Sequence, residues 1–371
     1  MKVIKLRNDA KDLLAFIKFP YTLYKNNAHY CADIKQFELQ QLLDPNGIHV
    51  RDHFSYFMVY DNGKAVGRIA CGISFVLNQK TKQNHGYICL FECINSTQAS
   101  RLLLDAAVTE LKDNNVQEIY TRQCAEFNQF GKGILKETFN TKAIEMYPYN
   151  FEYYIDLLQD YGFKPHRNHD TFWMDFKNYP KEKFATLIEK AQRRFAYRVE
   201  GERLRPNNVK IMAEKLSSVI HQAYHTDWNV SQPSIMEIEN QLQYILRFAN
   251  YNQLVFAYAD QRVIGAYVVH DNYRQRINRC KGSSILYFFS RLFAAGPSTS
   301  LIANMIFVVP DFQLKAVDVA MAHHSIETAK KHGFTDLELF TTPSTNKQYA
   351  YAFVNIGGKK IAEYTQLKYT L

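Results

Sequence analysis

Closely spaced cysteine pairs are missing. The six cysteines, Cys31, Cys71, Cys89, Cys93, Cys124 and Cys280, are scattered without a Cys-x-x-Cys spacing, and 371 residues far exceeds a disulfide-stapled scaffold. Reduced thiols in a cytoplasm are the expectation. The opening MKVIKLRNDAKDLLAF has no apolar core and no small-residue cleavage site, so no signal peptide is expected. Arg291 interrupts the most apolar tract, ILYFFSRLFAAG, well short of the ~20 apolar residues that span a bilayer. Long runs of lysine or arginine are also missing, which disfavours a nucleic-acid-binding arm. There is no Gly-x-Gly-x-x-Gly, no P-loop and no serine nucleophile elbow, so ATP-using and hydrolase readings lose their main support. His221 and His225 stand four apart without the glutamate of His-Glu-x-x-His, and no metal site is expected.

What is present is a large apolar fraction, 47%, with 14% aromatic residues and a net charge of +9. These support real cores and favour acidic partners such as nucleotide phosphates or an anionic membrane surface. The length predicts two domains, with a boundary near Asn178: residues 1–178 and 179–371. The expected class is α/β with mixed sheets (α+β).

The first half reads as a strand at Lys2–Leu6, a helix over Ala10–Ile17, then a hairpin. Its strands are Phe54–Tyr60 and a long Ala65–Leu77, joined at Asp61-Asn62-Gly63-Lys64, a strong two-residue turn signal. A polar loop over Gln79–His85, a strand Gly86–Cys93, a helix Ser96–Asn114 and a strand Val116–Thr121 follow. Gly162-Phe163 closes a helix over Tyr154–Tyr161, and Lys164–Phe176 is a strand joining the halves. The second half repeats the order. It has a strand Phe195–Val199, a helix from Pro206 to about Tyr224, a helix Ile235–Phe248 capped by Ser234, and a hairpin Leu254–Tyr258/Val263–Val269. An insertion, NYRQRINRCKGSSILYFFSRLFAAGPSTS, mixes basic residues with aromatics and suits a lipid surface, the wall of an acyl channel, or a lid helix whose aromatics pack on the second core.

The most informative stretch runs from Ile306 to Phe340. Ile306–Val309 is a short apolar strand, and Pro310 removes a ladder donor, so pairing should fail there. A helix is expected after Asp311, with Val317, Ala320, Met321 and His324 at helical spacing and a stop at Gly333. A helix N-terminus beside a broken strand offers free amides and positive potential, which suits a pyrophosphate.

This layout resembles the coenzyme A site of the GNAT acyltransferase superfamily, whose loop reads Gln/Arg-x-x-Gly-x-Gly/Ala. Here it is Gln313-Leu314-Lys315-Ala316-Val317-Asp318, with Ala316 in place of the first glycine and Asp318 in place of the second small residue. The blocks FPYTLY, GKAVGRIACGI, FECINSTQASRLLLDAA, FNQFGKGIL and MYPYNFEYYIDLLQDYGF resemble an uncharacterised bacterial family of tandem GNAT proteins. Thr121-Arg122-Gln123, Glu137-Thr138-Phe139 and Phe151 depart from that family's pattern. The resemblance implies two tandem GNAT-like domains, the first without a pyrophosphate loop, and acyl transfer from acyl-CoA to a small-molecule or amphiphilic amine. Bacterial ceramide synthases resemble this family too, so a long-chain donor fits.

By the same resemblance, Val308, Val309, Gln313, Leu314, Lys315, Ala316, Val317, Asp318 and Asn346 would contact coenzyme A. Tyr149, Asn150, Tyr153 and Tyr154 would edge the acceptor cleft. The superfamily's proton-donating tyrosine aligns with Phe353, which has no proton to give, so Tyr349 is the substitute. Glu338, like Glu92 in the first half, sits on a strand beside the expected cleft, where a raised carboxyl pKa suits amine deprotonation. A non-catalytic module of the same fold, binding a lipid, peptide or protein, is the competing expectation.

Overall fold

Asn62 and Gly63 have φ of 46° and 78°, the backbone that a two-residue primed turn demands and that asparagine and glycine tolerate. They fold the chain back on itself and set the register of the first hairpin. The computed structural model describes residues 1–73, 75–122, 133–138, 149–223, 232–292, 298–339, 342–345, 354 and 356–371. In chain order the first half supplies β1 (Lys2–Lys5), α1 (Ala10–Leu23), α2 (Lys35–Leu42), α3 (Ile48–Arg51), β2 (Ser55–Asp61), β3 (Lys64–Ile73) and α4 (Phe75–Thr81). It continues with β4 (His85–Cys93), α5 (Thr97–Asp113), β5 (Glu118–Thr121), β6 (Ile134–Glu137), α6 (Tyr153–Tyr161) and β7 (Lys164–Asp175). The second half opens with α7 (Lys181–Phe195), β8 (Arg198–Glu202), α8 (Val209–Ala223), α9 (Ile235–Phe248), β9 (Asn252–Ala259) and β10 (Arg262–Asp271). It ends with α10 (Arg274–Arg279), α11 (Ser284–Leu292), β11 (Ser300–Val308), α12 (Val317–Lys331), β12 (Asp336–Leu339), β13 (Thr342–Pro343) and β14 (Gly358–Thr370).

Several expected boundaries move for local reasons. The strand drawn through Leu77 ends at Ile73, and the supposed loop after it begins as helix α4; the apolar run Phe75–Leu77 fits either state. Helix α1 runs through Pro20 to Leu23 rather than stopping at Ile17. The strand read at Phe195–Val199 is instead the end of α7, a left-handed Ala196 and then β8. Ser234 does cap α9, in a reciprocal box with Glu237.

Each half repeats one pattern. An antiparallel meander (β2-β3-β4, and β9-β10-β11) is followed by a helix crossing over to a parallel strand, β5 or β12. Among the described residues the halves fuse into one sheet of order β1-β2-β3-β4-β5-β14-β7-β12-β11-β10-β9-β8. The closing strands are exchanged. β7, from the first half, pairs with β12 of the second, and β14 pairs with β5 of the first. β7 and β14 also run antiparallel to each other from Lys164↔Lys368 to Met174↔Gly358. A chain cut at 178 therefore does not coincide with any cut in the sheet. Apolar side chains on the two faces of the first half form separate cores under α5/α6 and under α1, while the second half has one large core.

Candidate functional site in the splayed sheet

In each half the parallel pair of strands separates. β4 and β5 pair from His85↔Glu118 to Ile88↔Thr121, with a last bond from the Arg122 amide to the Ile88 carbonyl (2.8 Å), while β4 runs on to Cys93. β11 and β12 pair from Ser300↔Asp336 to Ala303↔Leu339, while β11 runs on to Val308. Among the described residues, pairing of β11 with β12 thus stops before Asn304, a bulge residue against β10, and not at Pro310. Pairing with β10 persists until the Val309 amide donates to Ile264 O at 3.0 Å. Proline ends the strand, while the bulge at Asn304 lies directly after the last described pair with β12.

The first wedge is filled by the protein itself. Tyr154, from α6, reaches in and takes the Cys93 amide as donor (3.1 Å), and its hydroxyl donates to Glu92 Oε2 at 2.7 Å. Tyr153 donates to Cys93 O at 2.8 Å. Tyr24, from the end of α1, donates to the same Glu92 oxygen and lies 3.1 Å from the Tyr154 hydroxyl. Burial pushes the Glu92 carboxyl up, against the pull of Arg68 and the two hydroxyls. Tyr30 stacks on Tyr24 at 4.2 Å, and Tyr149 packs edge-on to Tyr24 at 6.0 Å. Asn150 is fully buried and staples the strand Leu135 through both its N–H and its carbonyl. Of the four residues read as an acceptor edge, Asn150, Tyr153 and Tyr154 thus bond to the protein itself, and Tyr149 packs beside Tyr24.

The second wedge differs. Among the described residues, the side chain bonded to the free edge of β11 is Gln313, whose amide donates to Val308 O at 3.2 Å. A 3₁₀ turn, Pro310–Phe312, leads to Leu314, 92% exposed, and to Ala316 in the left-handed region at φ 58°. Tyr197 fixes that turn by donating to Ala316 O at 3.1 Å. Lys315 lies over the rings of Phe312 and Phe195, at 4.6 and 5.2 Å, and brings a cation to the mouth. Asp318 sits in the first turn of α12, where burial pushes its carboxyl up against the pull of the nearby backbone amides. An acidic side chain thus stands in the first turn of the helix whose N-terminus would face a pyrophosphate.

Glu338 stands at the base of this wedge. In register it lies beside Ile302 on β11 and Trp173 on β7, so all three share one face. Ile302 belongs to the cluster that holds Tyr24, Tyr149 and Tyr364, which turns Glu338 toward the junction of the two halves. Burial, with Asp336 adding to it and Arg274 opposing, holds its carboxyl at about 8. No hydrogen bond to it exists among the described residues. Arg274 is itself held by Cys31 O at 2.8 Å and by Asp33, so the loop after α1 reaches into the second half's site. Tyr24, Tyr30 and Arg274 were missed by sequence reasoning; the FPYTLY block that contains Tyr24 was visible, but nothing in it points across the sheet. Asn346, Tyr349, Phe353 and His225 lie outside the described residues. Within those residues no helix is long and apolar enough to cross a membrane.

No family model matches the sequence, and no curated protein matches it. Solved structures do match in shape. One, described as a glucosamine N-acetyltransferase region related to GCN5 in a fungal multi-domain β-N-acetylglucosaminidase, has a TM-score of 0.59 at 15% identity. The match covers 99% of this chain but 38% of that one. A tandem GNAT protein from the clavulanic acid biosynthesis pathway matches with a TM-score of 0.58 at 8% identity, covering 100% and 98% of the two chains. A GCN5-related N-acetyltransferase from Sphaerobacter thermophilus has a TM-score of 0.50 at 8% identity, over 99% and 95%. The chain carries the tandem GNAT fold.

Proposed function

Starting from that fold, we propose that the chain is an acyl-CoA-dependent N-acyltransferase that works through its second half. The observation that carries this reading is the asymmetry of the two wedges. Tyrosines close the first, whereas the second combines a strand edge, a basic mouth and a buried carboxyl held at about 8. Coenzyme A, as donor, would lie along Val308 and Val309, with its pyrophosphate against Gln313–Asp318 and its pantetheine near Asn346. The strand edge, Gln313 and Lys315 fit such a ligand; Asp318 and the Cβ of Ala316 crowd it. As its carboxylate, Glu338 takes the amine's proton while nitrogen forms the new C–N bond and the C–S bond breaks; Tyr349 gives a proton to the departing sulfur. The acceptor, an amphiphilic amine in this reading, would approach Glu338 from the junction of the two halves, where the aromatic cluster of Tyr24, Tyr149 and Tyr364 is closely packed.

Calorimetry on the full chain with acetyl-CoA and palmitoyl-CoA tests this. One molecule bound per chain is the expected result. Binding of neither removes the enzyme reading, and two per chain contradicts a closed first wedge. A non-catalytic module is favoured by one observation, the acidic Asp318 in the first turn of α12, where a pyrophosphate would otherwise face the helix N-terminus; it requires that no amine is acylated even where coenzyme A binds.

A further inference from the structure

Helix α11 is amphipathic in the inverted sense. Ile285, Leu286, Phe288 and Phe289 are 68, 51, 63 and 50% exposed. At ~100° per residue they occupy an outward arc of ~160°. Tyr287, on the opposite side, is buried. It donates to Arg247 O at 2.7 Å and packs edge-on to Phe37 and Phe248. The helix cannot roll to hide its apolar arc without pulling Tyr287 from the core. Its entry is fixed as well: Lys281 and Gly282 are left-handed, Gly282 O accepts the Lys35 amide, and a Cβ at Gly282 would meet the Tyr21 ring at 2.2 Å. The segment Arg274–Leu292 contains five cations and no Asp or Glu. Arg274 and Arg276 are held inward by carbonyls of Cys31 and Phe248. Arg279, at the end of α10, and Lys281, in the turn that enters α11, are exposed and form no ion pair among the described residues.

We infer that α11 is a membrane-surface anchor that seats its Ile285–Phe289 arc in the interface of an anionic bilayer, with Arg279 and Lys281 on the lipid headgroups. A preformed apolar arc next to unpaired cations is what such a surface binds. A second copy of the chain is a poorer occupant. A two-fold contact through this arc would offer Arg279 and Lys281 no acidic partner from the same segment, since Arg274–Leu292 contains no Asp or Glu. The inference does not depend on acyl transfer, since vesicle binding is read without substrate.

The test is flotation of the full chain with phosphatidylcholine vesicles, and with vesicles containing about 30% phosphatidylglycerol. Flotation with the anionic vesicles is expected, with little on neutral ones. Raising NaCl from 0.1 to 1 M shortens the screening length from about 10 to about 3 Å and should weaken it. Phe288→Ser/Phe289→Ser should lower partitioning at least ~10-fold with its circular dichroism and palmitoyl-CoA affinity unchanged. Arg279→Glu/Lys281→Glu should remove the preference for anionic lipid. Several outcomes overturn the inference: no flotation, equal flotation on neutral vesicles, or unchanged flotation of the phenylalanine variant. So do a parent dimer that the same variant makes monomeric, and a palmitoyl-CoA affinity that falls while flotation holds.

Discussion

Glu338 offers the sharpest test, because one buried carboxyl makes two separate predictions. Its pKa lies at about 8 rather than its ordinary 4.5. Between those values the folded state binds the proton more readily than the unfolded chain does. Stability is therefore greatest at the acid end and declines as pH rises, by about 1.4 kcal/mol per unit, until the folded-state value is passed. Glutamine keeps the shape and cannot ionise. The stability advantage of Glu338→Gln over the parent should thus widen by about 4 kcal/mol between pH 5 and pH 8. Urea unfolding of both proteins at each pH measures it, and groups common to both cancel in the difference. Parallel stability curves would refute the claim that Glu338 is buried and unpaired. On the catalytic side, kcat/KM of the parent should climb about tenfold per pH unit and level off above about 8, and Glu338→Gln should cost ~10²–10⁴-fold. A rate that is flat from pH 6 to 9 would remove Glu338 as the base.

Three further predictions concern other parts of the fold. Ala316→Gly relieves a left-handed alanine and opens the approach to α12, so coenzyme A should bind tighter with stability unchanged or raised by up to about 1 kcal/mol; Asp318→Asn should strengthen binding as well, and calorimetry reads both. Tyr154→Phe leaves Glu92 with one fewer donor and the Cys93 amide without its acceptor, and should cost about 2–3 kcal/mol in urea unfolding; a loss below about 0.5 kcal/mol would show that the first wedge is not held as described. Deleting β14 (residues 358–371) strips the partner strand from β5, so amide exchange in β4 and β5 of the first half should accelerate although the missing residues belong to the second.

Much of the layout was written locally. Asn62-Gly63 specified its hairpin because few other residues accept left-handed backbone, Ser234 and Glu237 marked the start of α9 through reciprocal capping, and Gly162 stopped α6. The alternation of strand and helix in each half, with the helical run between two apolar strands, was enough to announce duplication. The Gln313–Asp318 loop likewise marks in its sequence the two positions, Ala316 and Asp318, at which it departs from the family pattern. What no local pattern carried was pairing between distant segments. A strand's side-chain period tells which face is buried but not which neighbour it takes, so the exchange of β7 and β14 between halves was invisible. The same holds for the wedge tyrosines: whether a tyrosine in a helix plugs a gap or lines it depends on where its helix lands on the sheet. Glu338 was legible as a strand carboxyl. Its displaced pKa came only from the tertiary structure, because desolvation is set by atoms remote in sequence, including the loop of the other half that brings Arg274 and Asp33 together.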